Sequence, residues 1–450
     1  MPRASGFVDR GLLDPLAVGH DEVVGDEAVL DALVAAELGL VRAWAATGAL
    51  PAEQAEEIAA AWGEDAATGR VTRHGLDAAA LAEAAVAGGN PVIPLVALLK
   101  QKLPASQRIW THRGATSQDI LDTALMLLAR DAVDRVLAEL DEVDARLSDF
   151  AVRHRDEVAA GRTLGGHAVP TTVGRRAAGW LTGIRRAADR LRALTLPAQL
   201  GGAAGTRASF ELLAEGAAGA DELSRHYAEL LGLDHVDEVW HTTRWPVTEL
   251  GDALGQLTDA LGKPAGDVIT LARTEIAELS LGAGGGSSAM PQKNNPVAAV
   301  LLRSAALRAP QLVATLHLCA ALADDERPTG AWHAEWPTLR ELLRIALGAA
   351  AQARLLVSAL EVDREAVARN LALTHGLIVA ERISLVLTPL VGPERVAALI
   401  AAAVAGGDLA HLIAELPEAA GLDVAALIDP AGYTGDAGAA VDRLSGEDAP

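Results

Sequence analysis

Apolar positions along this chain recur with helical spacing, and the spacing sets the expected elements. From about residue 26 to 105, short periodic stretches are separated by Gly48, Pro51, the turn Gly88-Gly89-Asn90-Pro91 and Pro104, which predicts several short helices. A much longer helix is expected from Thr116 and Ser117, both good N-caps, with Asp119 in the first turn. Its stripe runs through Ile120, Leu121, Ala124, Leu127, Leu128, Val136, Leu137, Leu140, Val143 and Leu147. The strictest pattern is Val247, Leu250, Leu254, Leu257 and Leu261, which resumes after Pro264 at Val268, Leu271, Ile276 and Leu279. It predicts a helix of about ten turns with a proline kink. Two further long helices are expected over 297–322 and 339–360. Beyond residue 362 the helices shorten, with Gly406-Gly407 and Gly421 as stops, and 435–450 read as a frayed end.

Seams this long cannot be covered inside one small subunit, so the pattern predicts an all-α fold with a central long-helix bundle shared between subunits. The expected division is an N-terminal helical domain over 1–110, the bundle over 111–360 and a C-terminal helical domain over 361–450. Composition agrees: of 450 residues half are hydrophobic but only 3% aromatic, which disfavours sheet. A net charge of -22 argues against nucleic acid or an anionic membrane as partner. The single cysteine, Cys319, lies in an apolar run expected to form a buried helix face. No zinc spacing is present, and neither a metal nor an organic cofactor is expected. With no signal-like start and no uninterrupted apolar run of about 18 residues, the expectation is a cytoplasmic protein without a membrane span.

One segment breaks the helical pattern: Gly282-Ala283-Gly284-Gly285-Gly286-Ser287-Ser288-Ala289-Met290-Pro291-Gln292-Lys293-Asn294-Asn295-Pro296. The chain has four lysines and four asparagines, because arginine serves almost everywhere a cation is wanted. One of those lysines, two of those asparagines and one of three methionines fall within residues 290–295. Lysine in so arginine-biased a chain points to a need for a compact ammonium. Glycines permit close ligand approach, the serines supply hydroxyls, and Lys293 supplies a point charge for a carboxylate. A P-loop does not fit, since no strand precedes the segment and the lysine does not follow the last glycine. A flexible linker is the alternative on composition alone.

The stretch from Gly286 to Pro296 resembles the G-S-S-x-M-P-x-K-x-N-P signature of the fumarase/aspartase superfamily. The resemblance implies that Ser287 is the general base, taking a proton from the carbon next to a carboxylate. Lys293 and Asn295 would bind that carboxylate, with Ser288 and Met290 as further substrate contacts. Thr111-His112-Arg113-Gly114-Ala115-Thr116-Ser117-Gln118-Asp119 resembles the first superfamily region, in the form typical of 3-carboxy-cis,cis-muconate cycloisomerases, and implies Thr116 and Ser117 as substrate binders. Gly161 to Pro170 resembles the region holding the superfamily histidine, so His167 would act as general acid or orient it. Similarity extends to 196–206, 240–244 and 330–336, making Gln199 and Arg244 candidate substrate contacts. Trp332 and Trp336 read as packing.

Departures from the pattern bear on the substrate. Arg113 stands where tryptophan is usual, and Gln292 and Asn294 flank Lys293 where histidine or glycine and arginine are usual. An arginine at 113 could bind a second carboxylate or a nitro group bidentately. The resemblance implies a lyase-type enzyme for small anionic polycarboxylates, working through an aci-carboxylate. The leading expectation is a lactonising carboxymuconate cycloisomerase. Its rival is a lyase releasing fumarate from a substituted succinate of the nitrosuccinate, argininosuccinate or adenylosuccinate type. A non-catalytic superfamily member is the remaining reading. The resemblance also implies a homotetramer whose active sites combine segments of three subunits.

Overall fold

The computed structural model describes residues 10–214, 219–282, 290 and 293–445. Helices account for nearly every regular element. The N-terminal set is α1 (Asp26–Ala46), α2 (Ala52–Ala61), α3 (Ala78–Ala85) and α4 (Val92–Gln101), with the expected breaks at Gly48 and Pro51, at 88–91 and at Pro104, and a further one over 62–77 that the pattern does not predict. Asp77 caps α3 by accepting from the N–H groups of Ala79 and Ala80. The 37-residue α5 (Ser117–Arg153) follows, beginning where the two hydroxyl residues predict.

The region around His167 is not helical. β1 (Val158–Thr163) and β2 (Gly166–Thr172) form an antiparallel hairpin, turned at Leu164 and Gly165 with φ of 52° and 91°. Two successive positive φ values mark a tight hairpin turn of the type whose twist matches the strands. The all-helical pattern had no place for this ribbon, because its glycines and short length give no clear period-two signal.

After α6 (Val173–Arg192), α7 (Ala208–Ala214) and α8 (Ala220–Leu231) comes α9 (Trp245–Leu271), which carries Pro264 in its interior. Val247, Leu250, Leu254, Leu257, Leu261, Val268 and Leu271 are all buried as expected. The helix stops at Leu271, short of the ten turns the spacing suggests. Ala277 has φ of 53°, and Leu279 belongs to a two-residue strand, β3 (Leu279–Ser280), paired with β4 (Glu361–Val362). The apolar spacing continues into a non-helical segment, where Leu279 is buried and Ile276 half-buried. α10 (Val297–Ala321) and α11 (Ala331–Ser358) complete the long helices, α11 starting earlier than expected and running through Pro337. Cys319 is buried on α10. The C-terminal set is α12 (Arg364–Leu371), α13 (Ala380–Val391), α14 (Pro393–Val404), α15 (Leu409–Ala414), α16 (Val424–Ile428) and α17 (Ala437–Ser445). Ile378, Ile383, Leu387, Val396, Leu399 and Ile413 form its core.

The chain folds into two compact units. One contains residues 1–138, 189–258 and 305–351, the other 139–188, 259–304 and 352–450.

Candidate active site

In the first unit, the segment leading into α5 is shaped by two buried carboxylates. Glu37, fully buried on α1, accepts from the backbone N–H of His112 at 3.0 Å and pairs with its Nδ1 at 2.7 Å. This fixes His112 at a φ of 59°. Burial alone would lower the His112 pKa, but the Glu37 charge and hydrogen bond outweigh it and raise it. Gly114 follows at a φ of 82°, where a Cβ would lie 2.8 Å from the Phe210 ring, so only glycine fits. Asp119, also fully buried, accepts from Thr116 N–H at 3.0 Å, Gly201 N–H at 2.7 Å and Gly202 N–H at 3.0 Å, and pairs with His241 Nε2 at 2.9 Å. One carboxylate thus holds the start of α5 against the glycine turn after Gln199.

The exposed face of this construction carries an arginine that sequence reasoning missed. Arg327 donates to Thr116 Oγ1 at 2.5 Å, Gln118 Oε1 at 3.3 Å and the Ala203 carbonyl at 3.2 Å. Among the described residues it has no acidic partner. In the sequence it follows Asp324, Asp325 and Glu326 in a polar turn between α10 and α11, where a cation reads as solvated surface. Only the fold brings it to Thr116. Arg113 stacks on the Trp110 ring at 4.6 Å, and its Nε is buried without a hydrogen-bond partner. It too lacks an acidic partner among the described residues. Ser117 is half-buried at the first position of α5.

Gln199 and Arg244 occupy the interior beneath. Arg244 is 3% exposed and donates to Asp122 through Nη1 at 2.7 Å and Nη2 at 3.1 Å, to Glu335 through Nε at 3.1 Å and also through Nη2, and to the Trp240 carbonyl. Burial opposes its charge, and Asp122 and Glu335 more than restore it. Burial pushes the Glu335 carboxyl up even so, because one guanidinium serves two acids. Gln199 Oε1 accepts from Trp240 N–H at 3.0 Å, and its Nε2 donates to Asp122 at 3.3 Å. Trp332, packed edge-on against Trp336, donates its indole N–H to the same Asp122. Any substrate contact by Gln199 or Arg244 has to displace one of these internal partners.

In the second unit, His167 stands opposite Arg162 in the hairpin register. Its Nδ1 is buried and has no hydrogen-bond partner among the described residues. Burial and the neighbouring Arg162 charge lower its pKa, so the imidazole is neutral near pH 7. Ser287 and Ser288 lie outside the described residues. Met290 and Lys293 are exposed, and Lys293 N–H closes a turn on the Met290 carbonyl at 3.0 Å. Asn294 donates to the Gly282 carbonyl, tying together the two ends of the glycine-rich segment. Asn295 is half-buried and accepts from Val297 N–H at 2.8 Å. A cavity of about 750 Å³ opens beside Lys293, Asn294 and Asn295, with Arg273, Ser280 and Asp363 also on its wall. Elsewhere among the described residues, Asp221, His235 and Asp237 lie close enough to share a cation, but Arg207 already sits 3.5 Å from Asp221.

Comparison with known proteins identifies relatives along most of the chain. A family model described as lyase matches residues 21–310. A nitrosuccinate lyase of Streptomyces davaonensis is 44% identical over 99% of this chain and 96% of its own length. A 3-carboxy-cis,cis-muconate cycloisomerase of Pseudomonas aeruginosa is 39% identical over 94% and 93%. The crystal structure of 3-carboxy-cis,cis-muconate lactonizing enzyme from Pseudomonas putida superposes with a TM-score of 0.86 at 34% identity, covering 97% of this chain and 98% of that one.

Proposed function

The chain belongs to the lyase family of the fumarase/aspartase superfamily, and from that premise we propose that it makes or breaks a bond next to a carboxylate through an aci-carboxylate intermediate. The observation that carries the reading is the pair of guanidiniums at the start of α5. Among the described residues, Arg327 on Thr116 and Arg113 on Trp110 are both without acids of their own, on a chain whose net charge is -22. Cations left uncompensated in an acidic protein are suited to receive an anionic substrate.

In this reading Arg327 and Thr116 hold one carboxylate, with Ser117 beside them, while Lys293 and Asn295 hold the carboxylate next to the reacting carbon. Proton removal from that carbon places a second negative charge on the carboxylate, and the Lys293 ammonium stabilises it as it forms. Ser287 takes the proton, and His167, neutral at rest, exchanges one with the departing or adding group. Ser288 and Met290 complete the pocket, and Gln199 joins them by exchanging one of its internal partners for substrate. Arg244 keeps its shape from within, held by Asp122 and Glu335.

Two outcomes share this aci-carboxylate, which elimination enters by loss of the proton to Ser287 and lactonisation leaves by return of a proton to carbon. In lactonising cycloisomerisation, a carboxylate oxygen adds to the conjugated double bond and the aci-carboxylate is then protonated on carbon. The cycloisomerase relatives support that route. In elimination, the carbon acid loses its proton and the adjacent carbon loses its substituent, giving fumarate. Arg113 favours this second route with nitrite as the leaving group, because a guanidinium fork matches a planar nitro group as it matches a carboxylate. The deciding experiment is a substrate panel of carboxymuconate, nitrosuccinate, argininosuccinate and adenylosuccinate. Lactone formation establishes the first route and fumarate release the second. Ser287→Ala abolishes either; unchanged turnover in that variant refutes the assignment.

We further propose a homotetramer, with each site assembled from three subunits, working in the cytoplasm. α10 is long and apolar enough to cross a membrane by length and composition, with a mean hydropathy of 1.3, yet only 22% of its apolar window is buried within the chain. Arg303 and Arg308 interrupt it, and cover by a neighbouring subunit is the reading that fits a bundle helix.

A further inference from the structure

Glu278 is 1% exposed and lies nine residues before Ser287 in the chain. Its carboxylate receives Arg162 through Nη2 at 2.5 Å and Nη1 at 3.1 Å, a bidentate fork, together with Asn370 Nδ2 at 2.9 Å. Arg176 Nη1 stands 3.8 Å away and donates through Nη2 to the Ala160 carbonyl. The backbone around it is equally committed. Asp363 N–H donates to the Glu278 carbonyl at 3.1 Å, and Asn370 Nδ2 also reaches the Ile276 carbonyl at 2.7 Å. A buried acid with two arginines and an amide is more than is needed to end a helix.

Arg162 is the informative partner. It lies directly across the hairpin from His167, at a point where the register shifts between Ala160 and Arg162, so the irregularity sets the direction of this side chain. We propose that Glu278 is a positioning residue for His167, acting through Arg162: it fixes the guanidinium beside the imidazole and balances its charge there. The inference rests on the assignment of His167 made above.

Two charges act on His167 in opposite directions. Arg162 lowers its pKa and Glu278 raises it, burial being the largest influence of all. Other charged groups on elements packed against β2 are engaged elsewhere: Tyr433 with Glu381, Asp442 with Arg155, and Arg443 with Asp436. On α6, Arg176 faces Glu278. Removing Glu278 therefore leaves Arg162 and Arg176 uncompensated, and the imidazole becomes harder to protonate. Removing Arg162 has the reverse effect.

The test uses the full-length enzyme and needs no substrate. Diethylpyrocarbonate acylates neutral imidazole, so the pH dependence of His167 labelling, read by peptide mass spectrometry, reports its midpoint. In Glu278→Gln the midpoint falls by about one pH unit, and in Arg162→Gln it rises by a similar amount. The second variant keeps the test decisive should the first fail to fold. A midpoint unmoved in a folded variant overturns the proposal. In parallel, the acid limb of kcat moves down in Glu278→Gln, kcat falls by about 10- to 100-fold and KM stays within about threefold, since the carboxylate-binding groups are intact. Equal loss in kcat and KM with an unmoved limb overturns the positioning role. A labelling shift without any change in the rate profile strikes instead at His167 as a participant in the reaction, leaving its coupling to Glu278 supported.

Discussion

At the scale of single residues, the unit holding the start of α5 separates its arginines by what they touch. Arg244 is locked between two buried acids, and among the described residues Arg327 meets only hydroxyl, amide and carbonyl oxygens. Replacing Arg244 by methionine leaves Asp122 and Glu335 uncompensated in the interior and destabilises the fold by about 3–5 kcal/mol, measured by denaturant unfolding. Replacing Arg327 by methionine leaves stability within about 1 kcal/mol and lowers kcat/KM by about 10²- to 10³-fold on the productive substrate. A reversed pattern, with Arg327 structural and Arg244 dispensable to folding, would refute the division. His112 gives a pH test. Its folded pKa is raised above the ordinary 6.5, so the Glu37 pair contributes fully below pH 6.5 and is lost as pH rises through the folded value. Asparagine tolerates the positive φ at 112. The stability gap between the wild type and His112→Asn therefore narrows as pH is raised, which thermal melts across pH will show.

At the scale of elements, the hairpin carries a local conflict. Leu164 is fully exposed and held at a φ of 52°, a conformation that a branched apolar side chain disfavours. Substitution by asparagine makes the turn Asn-Gly, the sequence this turn type prefers, and raises stability by about 1 kcal/mol without loss of activity. A lower melting temperature for Leu164→Asn would mean that Leu164 is covered by something outside the chain. The long helices were legible in the sequence because burial on one side writes a 3.6-residue period directly. The end of α9 was not. Ile276 and Leu279 keep the apolar spacing, but Ala277 adopts a positive φ and Glu278 turns inward to two arginines, and neither event has a periodic signature.

At the scale of the whole molecule, large apolar side chains remain uncovered on the long helices. Leu307 and Leu318 of α10 are 68% and 60% exposed. A single chain has no reason to present such a seam to water, and the proposed association would remove it. Leu307→Asp combined with Leu318→Asp is expected to dissociate the assembly in sedimentation velocity and to abolish turnover; a fully active monomer would refute the shared site.

The sequence alone determined the helical class, the long seams, the glycine-rich segment with its lysine and asparagines, and the family to which they point. Each of these is a local record: burial leaves a period, a special backbone leaves glycine, and the need for a compact cation leaves lysine in an arginine-biased chain. The tertiary structure decided which charges are spent and which are free. Arg244, Arg162 and Arg327 are alike in the sequence. Their roles diverge because Asp122 with Glu335, Glu278, and Thr116 reach them from positions far along the chain. Ion pairing across such separations leaves no spacing to read, since the electrostatic energy depends on distance in space and on burial, and on nothing in the order of residues.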